Sequence, residues 1–181
     1  MNRSTLTSPP PGAVIPEPHP EVKIGQRIGP HYARCFGCGS DHPTGLHLDA
    51  VIAEGLTVTA EFTVADAHQG APGLAHGGVL ATAMDEVLGM VVWLLRKPYV
   101  TGRLETDYLR PVPVGATLHL RARCTGVSGR KAYLEAEAHL DGPDGPAAVR
   151  GAALFVEVPI EHFAEHGGGV AGLTPDHEVN P

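Results

Sequence analysis

The feature that most limits how this chain can fold is one long apolar segment near its middle, LAHGGVLATAMDEVLGMVVWLL at residues 74–95. From Val79 onward nearly every position is apolar, which is typical of a helix buried on most of its faces. Two acids, Asp85 and Glu86, interrupt the run near its centre. A membrane-spanning helix needs about 20 apolar residues, and an acid at the bilayer centre costs about 2.5 kcal/mol or more. The segment therefore predicts a helix in the core of a folded domain and no membrane span.

Alternating apolar and polar residues on both sides of this helix predict a sheet. Two such stretches precede the helix, at residues 46–52 and 56–64, and four extended stretches follow it within residues 100–115, 118–124, 134–140 and 147–158. Their short connections favour antiparallel pairing, because parallel strands need a crossover of about a dozen residues or more. A helix that is apolar nearly all round must be covered by sheet. We therefore predict an α+β hotdog fold, in which about six antiparallel strands curve around one long central helix.

The two ends of the chain differ from this central part. Residues 1–31 show no periodicity and contain several prolines, so we expect a disordered N-terminal arm. Residues 161–181 have a similar character and are expected to form a flexible C-terminal tail. The predicted folded domain therefore spans residues 32–160.

Charge and cysteine content narrow the class of protein further. The net charge of −7 argues against nonspecific nucleic-acid binding, which needs a basic surface. The N-terminus lacks the charged-then-apolar pattern of a secretory signal. Three cysteines are too few, and too odd in number, for a disulfide scaffold, so we expect a cytoplasmic protein.

The start of the predicted helix and the acid at its centre are candidates for chemistry. Two glycines, Gly77 and Gly78, open the helix, where the first backbone N–H groups have no partner inside the helix. Together with the helix dipole, such amides can polarise a carbonyl group. Asp85 is then the candidate nucleophile or general base. In a purely structural alternative, the glycines form a tight turn and Asp85 faces solvent.

The separation of these two features limits how they can act together. Gly78 and Asp85 are seven residues apart, which is about 10 Å along a helix axis. Reacting groups must come within about 3.5 Å of each other, so one helix cannot place both on one carbonyl. Two antiparallel helices related by a two-fold axis can do so. An active site built from these residues is therefore shared between the protomers of a homodimer.

The spacing of these residues resembles a known signature. His76-Gly77-Gly78, followed by Asp85 and then Gly89, resembles the HGG signature of hotdog acyl-CoA thioesterases, most of all the phenylacetate-degradation (PaaI-like) and human thioesterase-superfamily branch. Further similar segments are Thr101 and the runs CFGCG at 35–39, DHPTGL at 41–46, YLRPVP at 108–113 and GRK at 129–131. The resemblance covers about residues 35–158.

This resemblance implies an enzyme that hydrolyses acyl-CoA thioesters to the free acid and CoA, with no cofactor. It implies that the amide of Gly77 or Gly78 polarises the thioester carbonyl and that Asp85 attacks it or activates water. Thr101 would hydrogen-bond the acid or the water. The oligomer would be a homodimer or a dimer of such dimers. Glu86 is rotated by about 100° from Asp85, so we interpret it as structural or as a surface residue.

Residues that contact the substrate are also predicted. His76 either orders the turn before the helix or touches substrate. Leu80 and Met84 are expected to line the acyl pocket. Because an acidic protein needs a local basic patch for the phosphates of CoA, three exposed cations are candidates for that patch. They are Arg110, Arg130 and Lys131.

Other functions remain as alternatives at this point. One is a non-catalytic acyl-CoA sensor of the same fold, which Asp85 together with Thr101 argues against. A hotdog hydratase would carry a histidine shortly after the helical aspartate, and no histidine lies between His76 and His119. Zinc could be held by the Cys35-x2-Cys38 pair with His42 and His47, but the spacing is imperfect, so we predict no metal. Cys124 is expected to be an inert core thiol.

Overall fold

A computed structural model describes residues 6–167, which form one antiparallel sheet of seven strands and one main helix. The elements in chain order are β1 (Arg27–Ile28), β2 (Ala50–Ile52), β3 (Thr57–Thr63), α1 (Gly77–Trp93), β4 (Tyr99–Tyr108), β5 (Thr117–Ser128), β6 (Lys131–His139), β7 (Ala147–Glu157) and α2 (Glu161–His166). The strands lie in the order β1-β2-β3-β5-β6-β7-β4. Every neighbouring pair is antiparallel, as the short connections predict.

The seventh strand lies in the segment expected to be a disordered arm. Ile28 of β1 is fully buried and pairs with Ala50 of β2. Thr7 is also buried, and its hydroxyl donates to Glu105 of β4 at 3.1 Å. The structure therefore differs from the predicted arm at these residues, because a two-residue strand is too short to show a period in the sequence. Residues 1–5 lie outside the described residues.

The C-terminal boundary differs in a similar way. Helix α2 occupies residues of the expected tail, at Glu161–His166. The rest of that tail, residues 168–181, lies outside the described residues, so its flexibility stays a prediction.

Helix α1 packs along the inner face of the sheet. Its buried residues include Met84, Val87, Leu88 and Val91. A side chain at Gly151 of β7 would come within 3.2 Å of the Met84 side chain, so the small residue lets the helix lie close to the sheet. Burial of each large apolar side chain contributes about 1.5–3 kcal/mol. Packing on the sheet therefore holds α1 in place. None of the helices in residues 6–167 is long and apolar enough to cross a membrane.

Strand β4 is the last strand of the sheet and carries an irregularity beside the helix. It pairs with β7 on one side, and within residues 6–167 no strand pairs with its other edge. The register shifts between Thr101 and Arg103, which leaves Gly102 as the extra residue of a β-bulge. Bulges redirect the side chains next to them. The bulge thus lies directly beside the threonine that the sequence singles out.

Candidate active site

A hydrogen bond between Thr101 and Asp85 connects β4 to the middle of α1. The Thr101 hydroxyl donates to Oδ1 of Asp85 at 2.9 Å. Asp85 is half-buried, and this burial raises the pKa of its carboxyl group above the ordinary value. The hydrogen bond from Thr101 acts in the opposite direction, while the charge of Cys35 adds to the rise. The pair thus has the geometry that the resemblance implies.

The first turn of α1 is capped by a side chain that the sequence analysis left ambiguous. His76 is the N-cap residue, and its Nδ1 accepts a hydrogen bond from the Gly78 N–H at 2.9 Å. The Gly78 amide is therefore not bare, in contrast to the expectation for both glycines. The Gly77 N–H makes no hydrogen bond within residues 6–167. Of the two glycine amides, this is the one available to a bound carbonyl group.

A tyrosine beside this amide escaped the sequence analysis. The Tyr108 hydroxyl donates to the Gly77 carbonyl oxygen at 2.9 Å, and a side chain at Gly77 would lie 3.5 Å from the tyrosine ring. Tyr108 is an exposed large residue at the end of β4. The one signal for it in the sequence is its place in the YLRPVP run.

The two candidate groups of one helix are far apart. Gly77 and Asp85 are eight residues apart on α1, which is about 12 Å along the axis. Each contacts a different residue of β4, Gly77 contacting Tyr108 and Asp85 contacting Thr101. A single chain therefore cannot apply both groups to one carbonyl.

The predicted acyl-contact residues lie in the core of the chain. Leu80 and Met84 are 5% and 1% exposed. Both belong to the face of α1 that packs on the sheet, whereas the expectation placed them along a pocket. Contact with an acyl group would require that group to enter the core between helix and sheet.

The predicted phosphate contacts are exposed but lie at opposite ends of the sheet. Lys131 pairs with Val156, which pairs with Val100, so Lys131 is two strand spacings, about 10 Å, from β4 near Thr101. Arg130 precedes it in the β5–β6 turn. Arg110 follows the far end of β4, where its guanidinium donates to the Ala147 carbonyl oxygen. One chain does not bring the three cations together.

Glu86 follows Asp85 on α1, but its side chain is largely buried and makes different contacts. Its side chain is 12% exposed and contacts Cys35, whose Sγ lies 3.8 Å from Oε2. Burial raises the pKa of Glu86 to about 7. The surface interpretation of Glu86 is therefore wrong, and the structural one describes its position. Cys124 is buried and free, and burial raises the pKa of its thiol, as an inert core cysteine requires.

A cavity of about 1000 Å³ lies on the outer face of the sheet, away from α1. Its lining includes Arg121, Arg123, Glu135 and Glu137. Among the described residues that line it, none is a predicted catalytic or substrate-binding residue. The cavity and the Asp85 site are therefore on different sides of the sheet.

Comparison with known proteins agrees with this architecture. The family described as "Thioesterase superfamily" matches residues 72–147, which include α1 and β4. Acyl-coenzyme A thioesterase THEM5 of Mus musculus is 33% identical over 97 residues, covering 54% of this chain and 39% of the relative. Acyl-coenzyme A thioesterase THEM4 of Xenopus laevis is 28% identical over 90 residues, covering 50% of this chain and 40% of the relative. The chain thus matches about two fifths of the length of these curated relatives.

Solved structures share the fold. A thioesterase superfamily protein superimposes with a TM-score of 0.63 at 27% identity, covering 76% of this chain and 68% of that chain. The PaaI protein of E. coli has a TM-score of 0.58 at 17% identity, with coverage of 62% and 80%. A hypothetical thioesterase of Streptococcus pneumoniae, solved with coenzyme A, has a TM-score of 0.54 at 20% identity, with coverage of 56% and 81%.

The fold, an antiparallel sheet of seven strands with one main helix, is that of these hotdog neighbours, which confirms the predicted architecture. Residues 72–147 of the chain resemble the thioesterase superfamily.

Proposed function

We propose that this protein hydrolyses acyl-CoA thioesters to the free acid and CoA. The observation that carries this proposal is the half-buried carboxylate of Asp85, which Thr101 holds by a hydrogen bond. The names of the THEM4 and THEM5 relatives support the same reaction class. The active site combines Asp85 of one protomer with the Gly77 amide of its partner.

The chemistry follows from the two groups. The Gly77 N–H, at the positive end of the helix dipole, donates to the thioester oxygen and stabilises the charge that develops there. Asp85 either takes a proton from a water molecule that attacks the carbonyl carbon or attacks that carbon itself. In the first route the C–O bond forms, the C–S bond breaks, and the proton held by Asp85 passes to the departing CoA thiolate. In the second, a carboxylate oxygen of Asp85 forms a C–O bond to the acyl carbon, the C–S bond breaks, and CoA leaves as a thiolate that takes a proton from solvent. Water then hydrolyses the acyl-Asp85 anhydride, which releases the free acid and restores Asp85.

Thr101 positions the carboxylate for either route. Its hydroxyl donates a hydrogen bond to Oδ1 of Asp85. The other carboxylate oxygen, Oδ2, can then contact water or substrate. Structures of the S. pneumoniae neighbour include variants in which an aspartate and a threonine, sixteen positions apart, are replaced by alanine. Asp85 and Thr101 are also 16 positions apart. This shared spacing supports the pairing of the two residues in one function.

A homodimer supplies the second half of the site. The 12 Å between Gly77 and Asp85 requires a second helix, and β4 offers an open edge on which another copy can pair. In a two-fold arrangement, each site takes Asp85 from one α1 and Gly77 from the other. Arg110 lies beyond one end of β4, and Arg130 and Lys131 lie near its other end. In the two-fold dimer, CoA can therefore contact cations from both protomers.

The test is hydrolysis of a panel of acyl-CoA substrates, medium-chain and aryl, with release of free CoA as the readout. Replacement of Asp85 by asparagine should lower turnover by at least about 10²-fold, as expected for loss of a general base, while the fold stays intact. Asp144→Asn, at an exposed aspartate between β6 and β7 that lines the cavity on the outer face of the sheet, is the matched control and should keep normal turnover. Tight acyl-CoA binding without turnover on the whole panel would contradict the proposal and indicate a binding module.

A further inference from the structure

A second group of reactive side chains lies at Glu86, the residue of α1 that follows Asp85. His31, Cys35 and Cys38 of the N-terminal segment meet Glu86 of the helix. Each offers one ligand atom, and these four atoms all lie within 4.8 Å of one another. None of the four has a part in the thioester reaction proposed above. The cluster therefore needs an explanation of its own.

The separations between the ligand atoms match those around one small cation. Cys38 Sγ lies 3.0 Å from His31 Nδ1, Cys35 Sγ lies 3.8 Å from Glu86 Oε2, and His31 Nδ1 lies 4.0 Å from Glu86 Oε1. Tetrahedral zinc, with bonds of about 2.0–2.3 Å, places its ligand atoms about 3.3–3.8 Å apart. Shifts of a few tenths of an ångström to about 1 Å would bring all four atoms onto such a tetrahedron.

One of these atoms has no other partner. Glu86 Oε1 is buried and has no hydrogen-bond partner within residues 6–167. A buried carboxylate oxygen without a donor or a cation is costly, and native proteins show few of them. The nearest ring nitrogen, His31 Nδ1 at 4.0 Å, is too far to donate a hydrogen bond. A cation between the four side chains would satisfy this oxygen.

The backbone of the cysteine segment is shaped around the cluster. A side chain at Gly37 would lie 1.9 Å from Glu86 Oε2, so the backbone there lies directly against the carboxylate. The N–H groups of Gly37 and Cys38 donate to Cys35 Sγ, and the Gly39 N–H donates to the Cys35 carbonyl oxygen at 2.9 Å. Such N–H contacts stabilise a thiolate and orient it, as the outer contacts of metal ligands do.

The histidines first considered as partners of the cysteine pair lie elsewhere. The His42 ring packs edge-on against Phe36, with 5.0 Å between the ring centres. His47 Nδ1 lies 2.9 Å from the Gly39 carbonyl oxygen. His31 and Glu86 take their place, and Glu86 is 51 positions from Cys35. Only the fold brings this ligand set together.

We propose that His31, Cys35, Cys38 and Glu86 bind one Zn²⁺ ion in a tetrahedral structural site. Two thiolates with an imidazole favour zinc over magnesium or calcium, which prefer oxygen ligands. The three negative charges of the ionised side chains also need a divalent cation in this half-buried position. The ion ties the N-terminal segment to α1 one residue from Asp85, and no step of the hydrolysis passes through it. The partly exposed ring of His31, held against Trp93, gives the ion access from solvent.

The direct test is the metal content of the full chain, purified without chelators or a histidine tag. Elemental analysis should find about one zinc per chain. Replacement of the zinc by Co²⁺ should give thiolate-to-cobalt charge-transfer absorption together with the intense visible bands of tetrahedral cobalt. Zinc far below one per chain, with a cobalt spectrum that lacks the charge-transfer band, would overturn the proposal. So would a Cys35–Cys38 disulfide in protein isolated under reducing conditions. These measurements use the native chain and do not depend on a variant that folds.

Variants assign the ligands. Cys35→Ser and Glu86→Gln should each weaken zinc binding by at least about 100-fold, more than the 10–100-fold typical of outer-shell partners. Cys124→Ser, His42→Ala and His47→Ala are matched controls outside the cluster and should keep full zinc binding. Loss of zinc in His42→Ala or His47→Ala, with retention in Glu86→Gln, would show that this ligand set is wrong.

Discussion

Thr101 holds Asp85 through a 2.9 Å hydrogen bond from its hydroxyl to Oδ1, across the boundary between the last strand of the sheet and the central helix. This contact opposes the effect of burial, which favours the protonated acid. It also restricts the rotation of the carboxylate. The bond therefore influences both the charge and the direction of the proposed base.

The first prediction concerns this bond. Thr101→Val keeps the shape and removes the donor, so turnover should fall by roughly 10- to 100-fold, because a hydrogen bond to a charged group contributes about 1.5–3 kcal/mol. Asp85 must be ionised to act, so activity is lost as the pH falls through its pKa. Without the donor this pKa rises, and the acidic limb of the pH–rate profile should move to higher pH. Thr101→Ser keeps the hydroxyl and should behave nearly as the native protein. An unmoved acidic limb in Thr101→Val would contradict this role.

A second prediction isolates the Gly77 amide. Proline is tolerated at the first position of a helix, and His76 already has the extended backbone that a residue before proline requires. Gly77→Pro therefore removes the N–H with little effect on the fold, and kcat should fall about 10²- to 10³-fold, as for loss of one oxyanion donor. Gly77→Ala keeps the N–H, and its side chain would make an ordinary 3.5 Å contact with Tyr108, so it is the control. Equal losses in the two variants would assign the effect to bulk at this position.

A third prediction tests the site shared between protomers. Asp85→Asn and Gly77→Pro chains are each inactive alone, but a hybrid dimer holds one complete site. Random reassociation makes about half of the dimers hybrid, so roughly a quarter of the native activity should return. The measurement is turnover after the two variants are unfolded and refolded together. Hybrids shown to form by mass spectrometry, yet without activity, would rule out the shared site.

Part of the fold and of the candidate active site can be predicted from local sequence patterns. The apolar run from Val79 predicts α1, the two-residue periods predict β3, β5 and β6, and the apolar run at 147–158 predicts β7. Strand β1 has two residues, which is too few to show a period in the sequence. The N-cap role of His76 depends on a rotamer, which no spacing reveals.

Contacts between distant segments of the chain cannot be predicted from local sequence patterns. The Cys35-x2-Cys38 spacing indicates that the two cysteines lie close together. Their neighbours Glu86 and His31 come from a helix face and from a segment without periodicity, so no local pattern predicts this contact. The positions of Arg110 and Lys131 at opposite ends of the sheet follow from the β6–β7–β4 register, which is a property of long-range pairing.

The last prediction places the nucleotide part of CoA. Arg130 lies in the β5–β6 turn and Lys131 begins β6, and both are exposed. Lys131 lies about 10 Å from the strand that carries Thr101. Replacing both by alanine should raise KM for acyl-CoA with little change in kcat, because phosphate contacts bind ground state and transition state alike. This increase in KM should become smaller at higher ionic strength, because salt screens the charges.

A truncated thioester without the nucleotide separates this role from a structural one. It lacks the phosphates, so the double variant and the native protein should hydrolyse it with the same KM. Arg121→Ala, at an exposed cation on the outer face of the sheet, is the matched control and should leave KM for acyl-CoA unchanged. If the double variant is equally impaired on both substrates, the pair supports the fold or the chemistry. The phosphate site would then have to be sought elsewhere, with Arg110 beyond the other end of β4 as the remaining candidate.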